Sequence, residues 1–142
     1  MSSDQILCKE ECYRIIGACF EVYNDKENGF LEAVYQECLA IELRDRQIPF
    51  IEKPAIQPQY KGRVLKQEYE PDFLCCGEII IEIKAAKALA DEHRAQIINY
   101  LKSSNKQLGL LINFGHRSKL EHERFINQSC LTTNHTNLTN ES

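Results

Sequence analysis

Residues 78–85, Glu78-Ile79-Ile80-Ile81-Glu82-Ile83-Lys84-Ala85, constrain the fold more than any other stretch of the chain. The run is rich in β-branched isoleucine, which predicts a buried central strand. Yet it carries Glu82 and Lys84 near its C-terminal end. Residues two apart on a strand point to the same face, so a carboxylate and an ammonium project side by side from a core strand. Buried charges are costly unless they are paired or bind a metal. Just upstream, Glu70-Pro71-Asp72 supplies a second carboxylate on the preceding strand.

The register between the two strands decides whether these groups meet. If the hairpin is centred on Gly77, position 72 lies opposite position 82, with Cβ atoms about 4.5–5.5 Å apart on one face. A two-residue Cys76-Gly77 turn would put Asp72 on the other face, because a one-residue slip reverses every side chain. The cluster therefore requires an odd-length loop or a bulge. Two close carboxylates repel unless neutralised, and a hard divalent cation such as Mg²⁺, with oxygen ligands and retained waters, suits them. Such an ion lowers the pKa of a bound water. Lys84 is placed to orient that water or to stabilise charge on a phosphoryl oxygen. The site falls at the C-terminal end of a strand that feeds a crossover helix, where ligands collect in α/β sheets. The plainer alternative is a solvent-facing Glu–Lys pair on a half-exposed strand.

The rest of the chain reads as a scaffold for this strand. Its 142 residues amount to one domain, expected to span 1–128. The polar, Asn/Thr-rich segment 129–142 is expected to be disordered. Helical periodicity runs from about Gln5 to Asp25 through Leu7, Cys12, Ile15, Ile16, Cys19, Phe20 and Tyr23, and breaks at Asn28-Gly29. A second helix, from about Leu31 to Arg46, presents Leu31, Val34, Tyr35, Cys38, Leu39 and Leu43. Extended pieces follow at 50–53, at 55–60 (an edge strand, given its proline) and at 64–69, then at 72–75. Together they read as a meander of antiparallel hairpins. Beyond the central strand come a helix from Asp91 to Ser103 and a second apolar run, Leu108–Asn113. That order predicts a parallel β-α-β crossover. A last polar strand is expected within 120–126.

Composition narrows the function. No apolar run is long enough to span a membrane, and the N-terminus lacks the basic and apolar regions of a secretory signal, so the expected location is the cytoplasm. In that setting a disulfide framework is not expected, and Cys8, Cys12, Cys19, Cys75 and Cys76 read as packing residues. Zinc is disfavoured by the absence of C-x-x-C pairs. The Asn-x-Ser/Thr triplets at Asn127, Asn134, Asn137 and Asn140 read as compositional accidents. A net charge of −4 argues against strong non-specific nucleic-acid binding but leaves room for a local basic patch.

Pro71-Asp72 followed by Glu82-Ile83-Lys84 resembles the motif of the PD-(D/E)-x-K nuclease superfamily. Gly29-Phe30-Leu31-Glu32-Ala33-Val34-Tyr35 is similar to the signature of the GxxExxY proteins within it. Gln36–Ala40, Gln96–Leu101 and Leu108–Gly115 also fit, so the resemblance runs from about Ile15 to Gly115. It implies an α/β fold with a restriction-endonuclease-like αβββαβ core, a mixed central sheet flanked by helices. It implies Asp72 and Glu82 as metal ligands with the Ile83 carbonyl as a third, and Lys84 as the catalytic lysine. Glu32 is implied as the acidic residue that completes the site and Gln96 as a positioning residue. The cofactor implied is Mg²⁺, with Mn²⁺ as substitute.

The leading expectation is therefore a Mg²⁺-dependent nuclease acting on DNA or RNA, with no membrane partner and with a homodimer left open. The alternative is a non-catalytic module on the same fold that binds nucleic acid or protein. A small-molecule phosphoesterase would need a closed pocket. His93, at the start of the third helix, reads as a helix-start residue that could also reach the site. His116, His122 and His135 show no ligand spacing.

Overall fold

The structure is a computed structural model that describes residues 7–127. The expected tail at 129–142 and three of the four Asn-x-Ser/Thr triplets lie outside these residues. Among the described residues, three helices, a mixed five-stranded sheet and a two-stranded one make up the fold. Helix α1 spans Lys9–Lys26 and α2 spans Glu32–Asp45. Strands β1 (Phe50–Glu52), β2 (Gln59–Tyr60), β3 (Arg63–Val64), β4 (Phe73–Cys75) and β5 (Ile79–Lys84) follow. Then come α3 (Asp91–Ser104), β6 (Leu108–Asn113) and β7 (Glu121–Ile126). The sheet order is β1-β4-β5-β6-β7, with β5 and β6 parallel and the other pairs antiparallel. The α2-β1-β4-β5-α3-β6 portion is the expected αβββαβ core.

The sheet's two faces follow from the period of two along its strands. Ile79, Ile81 and Ile83 of β5 bury against α1 and α2, in one cluster with Ile15, Cys19, Tyr35 and Leu39. Ile80 points the other way, to Ile97, Tyr100 and Leu101 of α3. Glu82 and Lys84 share the Ile80 face by alternation, so the charged end of the strand looks towards α3. Apart from that charged end, β5 and β6 bury apolar residues on both faces, as parallel strands covered by helices require.

Three sequence expectations need correction. The pieces at 50–69 do not form a continuous meander. Strand β1 pairs with β4, while β2 and β3 form a separate two-stranded hairpin reached through an Ile56–Tyr69 bridge. Partner choice between short strands depends on what each can cover, which a local pattern does not encode. The first helix begins at Lys9, after Cys8 in a left-handed conformation (φ 53°), and not at Gln5. Its buried stripe is Cys12, Ile15, Cys19 and Val22, joined by Ala18, whereas Phe20 is exposed. In α2, Leu31 is the exposed N-cap and not a face residue. Of the cysteines expected to pack, Cys12, Cys19 and Cys75 are buried and free, and Cys8 and Cys76 are partly buried against the core. Asn127 is buried too, its amide donating to the Leu101 and Lys106 carbonyls, which explains that asparagine structurally.

Candidate active site

The β4–β5 register brings the two motif carboxylates together. Phe73 pairs with Ile81, Leu74 with Ile80 and Cys75 with Ile79. Continued by one residue, that register sets Asp72 opposite Glu82. The loop is thus the odd-length one, Cys76-Gly77-Glu78, with Cys76 (φ 55°) and Gly77 (φ 71°) both left-handed. Pro71 has no N–H to extend the ladder, so β4 stops where Asp72 turns into the site.

Both carboxylates are nearly closed off from solvent, Asp72 being 9% and Glu82 5% exposed. Asp72 Oδ2 accepts from the Ile83 N–H at 2.7 Å, and Glu82 Oε1 accepts from the Asp72 N–H at 3.3 Å. Each carboxylate is thereby held by the other's strand. The Lys84 carbonyl accepts from the Phe114 N–H at 2.8 Å on the β6 side. Backbone groups alternate sides along a strand, so the N–H and C=O of Ile83 face Asp72 instead. Lys84 Nζ lies 2.7 Å from Gln96 Oε1 and 3.5 Å from Glu82 Oε2. The α3 helix thus aims the ammonium that β5 supplies. Tyr100 follows one turn on along α3.

The electrostatics are those of two carboxylates with too little positive charge. Burial, and then the nearby Asp72 charge, push the Glu82 carboxyl up to about 7, against the pull of Lys84. Burial also raises Asp72, with Glu32 adding to the rise while the Ile83 N–H, Lys53 and Lys84 oppose it. Burial and the two carboxylates push the Tyr100 hydroxyl up to about 12. A cation beside the two carboxylates would relieve this imbalance.

Glu32 stands apart from the other four. It is exposed in the first turn of α2 and reaches Asp72 only through its field. Among the described residues, no three His, Cys, Asp or Glu side chains come together as a ligand set. The donors available to an ion are two carboxylates and a backbone carbonyl. That set suits a hard cation that keeps several waters, and magnesium is commonly held by one or two carboxylates.

Two participants escaped the sequence reading. In the amide orientation that satisfies both its ends, Gln36 donates to Asp72 Oδ1 at 3.2 Å and accepts from Lys53 Nζ at 3.2 Å. The Lys53 N–H also donates to the Asp72 carbonyl at 2.9 Å. The available signal was the position of Gln36 directly after Tyr35. His93, by contrast, caps α3, its Nδ1 accepting from the Ala90 N–H at 3.0 Å. Tyr35 is buried and stacked on Phe114 at 4.8 Å; its hydroxyl donates to the Glu27 carbonyl and accepts from the Phe30 N–H at 3.2 Å. With Gly29 at φ 118°, it fixes the turn that starts α2.

A family model described as the PD-(D/E)XK nuclease superfamily matches residues 9–125. No curated protein is similar enough in sequence to match. Among solved structures, the crystal structure of SSO0001 is similar at TM-score 0.55 and 14% identity, over 78% of this chain and 59% of that one. A second similarity is to an alkaline exonuclease (LHK-Exo) from Laribacter hongkongensis. It has TM-score 0.42 and 16% identity, over 67% of this chain and 55% of that one. The chain thus spans little more than half the length of either protein. The SSO0001 likeness concerns the fold alone.

Proposed function

The chain belongs to the PD-(D/E)XK nuclease superfamily, and on that premise we propose that it hydrolyses phosphodiester bonds of nucleic acid with the help of Mg²⁺ or Mn²⁺. The observation that carries the reading is the pairing of Asp72 with Glu82 beside the Lys84–Gln96 contact. Asp72, Glu82 and the Ile83 carbonyl would hold the cation. When bound, it supplies charge for the phosphoryl oxygens and lowers the pKa of a water.

The chain's own groups do the remaining work. The carboxylates are held in place before any ligand arrives, by the Ile83 and Asp72 N–H groups. Such preorganisation avoids reorganisation during reaction. Lys84, fixed by Gln96, carries positive charge to where an anionic phosphoryl group would gain charge in the transition state. Gln36 and Lys53 brace the second oxygen of Asp72. Glu32, on the open side, is a candidate to orient a water or a second hydrated ion. The Gly29–Tyr35 turn supports a narrower place among the GxxExxY proteins.

The test is cleavage of mixed DNA and RNA substrates with Mg²⁺ or Mn²⁺. Wild type is expected to cleave, and Lys84→Ala to lose about 10²-fold or more, as for removal of an oxyanion-stabilising donor. Asp72→Ala should also abolish the metal-binding isotherm. Equal cleavage by Lys84→Ala would sink the mechanism.

A further inference from the structure

Between β1 and β4 the chain leaves the sheet and returns to it. The departure and return are tied at the site itself, because the Lys53 N–H donates to the Asp72 carbonyl at 2.9 Å. A second closure follows at the Ile56–Tyr69 bridge, with backbone bonds of 2.9 and 2.7 Å. Beyond that bridge stands the β2–β3 hairpin, in which Gln59 pairs with Val64 and Tyr60 with Arg63. Every residue of both strands is exposed. Tyr60 is 61% and Val64 58% exposed. Such apolar groups on a two-stranded projection stabilise no core.

The hairpin's charge differs from that of the molecule. From Lys53 to Gln67 there are four cations, Lys53, Lys61, Arg63 and Lys66, and no acid, in a chain of net charge −4. Lys61 lies over the Tyr60 ring at 5.4 Å. The base of the hairpin also connects to the catalytic lysine. Tyr69 packs on Tyr100 at 5.6 Å, one turn along α3 from Gln96, and Gln96 holds Lys84.

We propose that the β2–β3 hairpin is an arm that grips single-stranded nucleic acid, with Tyr60 stacking on an unpaired base and Lys61, Arg63 and Lys66 contacting phosphates. An exposed ring flanked by cations is the pairing that single strands need, since every base offers a π-face and every nucleotide a charge. A duplex conceals its base faces and leaves Tyr60 nothing to stack on. The arm rests on the nuclease reading for its direction, because the strand it holds would run towards Asp72 and Lys84.

Binding is measured without turnover, in metal-free buffer, by fluorescence anisotropy of a labelled oligothymidylate and of a duplex of equal length. The full chain should prefer the single strand. Tyr60→Ala should weaken that binding about 5- to 100-fold, while Tyr60→Phe, which keeps the ring, stays close to wild type. The triple change Lys61→Gln, Arg63→Gln, Lys66→Gln should reduce the slope of log affinity against log salt by about 2. Unaltered binding by Tyr60→Ala, tighter binding to the duplex, or no binding by wild type each overturns the arm. If wild type never cleaves yet the hairpin variants lose binding, the nuclease reading fails and the arm stands. If wild type cleaves and the variants bind and cleave like it, the arm fails alone.

Discussion

At the scale of single residues, Glu82 is the described carboxylate whose charge the fold tolerates least. Its carboxyl is raised from 4.5 to about 7 by burial and by Asp72. Between those values the folded chain keeps a proton that the unfolded chain has released. Stability from this group is therefore present at low pH and is lost as pH rises from about 4.5 towards 7. Glu82→Gln keeps an acceptor for the Asp72 N–H and removes the charge. Without metal it should stabilise the chain at about pH 8, by on the order of 3 kcal/mol at most, and have little effect near pH 4. Thermal unfolding at the two pH values checks this, and a variant less stable than wild type at the higher pH refutes it. Adding Mg²⁺ at about pH 8 should raise the melting temperature of wild type and not of the variant, because only wild type keeps both carboxylates.

At the scale of elements, the link from β5 to α3 decides where Gln96 meets Lys84. Asn113 staples that link: its amide donates to the Ala86 carbonyl, at 2.9 Å, and to Glu121, at 2.8 Å, and its oxygen accepts from the N–H groups of Ala86 and Gly115. Glu121 in turn accepts from the Leu89 N–H at 3.0 Å. Farther along, Arg94 clamps α3 to β7 through a two-pronged bond to Glu123, of 2.7 and 2.8 Å. Gly115 lets the chains approach, for a Cβ there would lie 2.4 Å from the Ala86 carbonyl oxygen. Gly115→Ala should therefore cost about 1–3 kcal/mol, the range of overpacked sites. It should also lower cleavage more than the stability loss alone explains, by moving the start of α3. Urea unfolding and single-turnover kinetics separate the two effects; a variant as stable as wild type would remove the steric argument. The central strand and the crossover were legible in the sequence, because alternation and element order fix them locally; the carboxylate register was legible only as a condition on the loop's parity, which the Cys75–Ile79 pairing then meets. The β1–β4 pairing and the Gln36–Lys53 brace were not legible. An amide on a half-buried helix face and a lysine after a short strand resemble ordinary surface residues until the chain folds them onto Asp72.

At the scale of the molecule, two regions of unlike stability are joined at one site. Strands β5 and β6 are buried on both faces, and their amides should exchange with solvent slowest of all. The β2–β3 hairpin has two exposed strands and should exchange orders of magnitude faster. Hydrogen exchange followed by mass spectrometry reads both; protection of the hairpin equal to that of β5 would contradict the assignment. Among the described residues no helix is long and apolar enough to cross a bilayer. The closure at Ile56–Tyr69 has a consequence for how such a molecule can diversify. Beyond those two backbone bonds the chain enters and leaves at neighbouring points, so the segment between them behaves as a replaceable cassette. Its length and its residues can be rewritten with little loop-closure cost, while the carboxylates a few residues away keep their places. If the hairpin is the proposed arm, the contacts that hold a strand can be altered without moving the carboxylates.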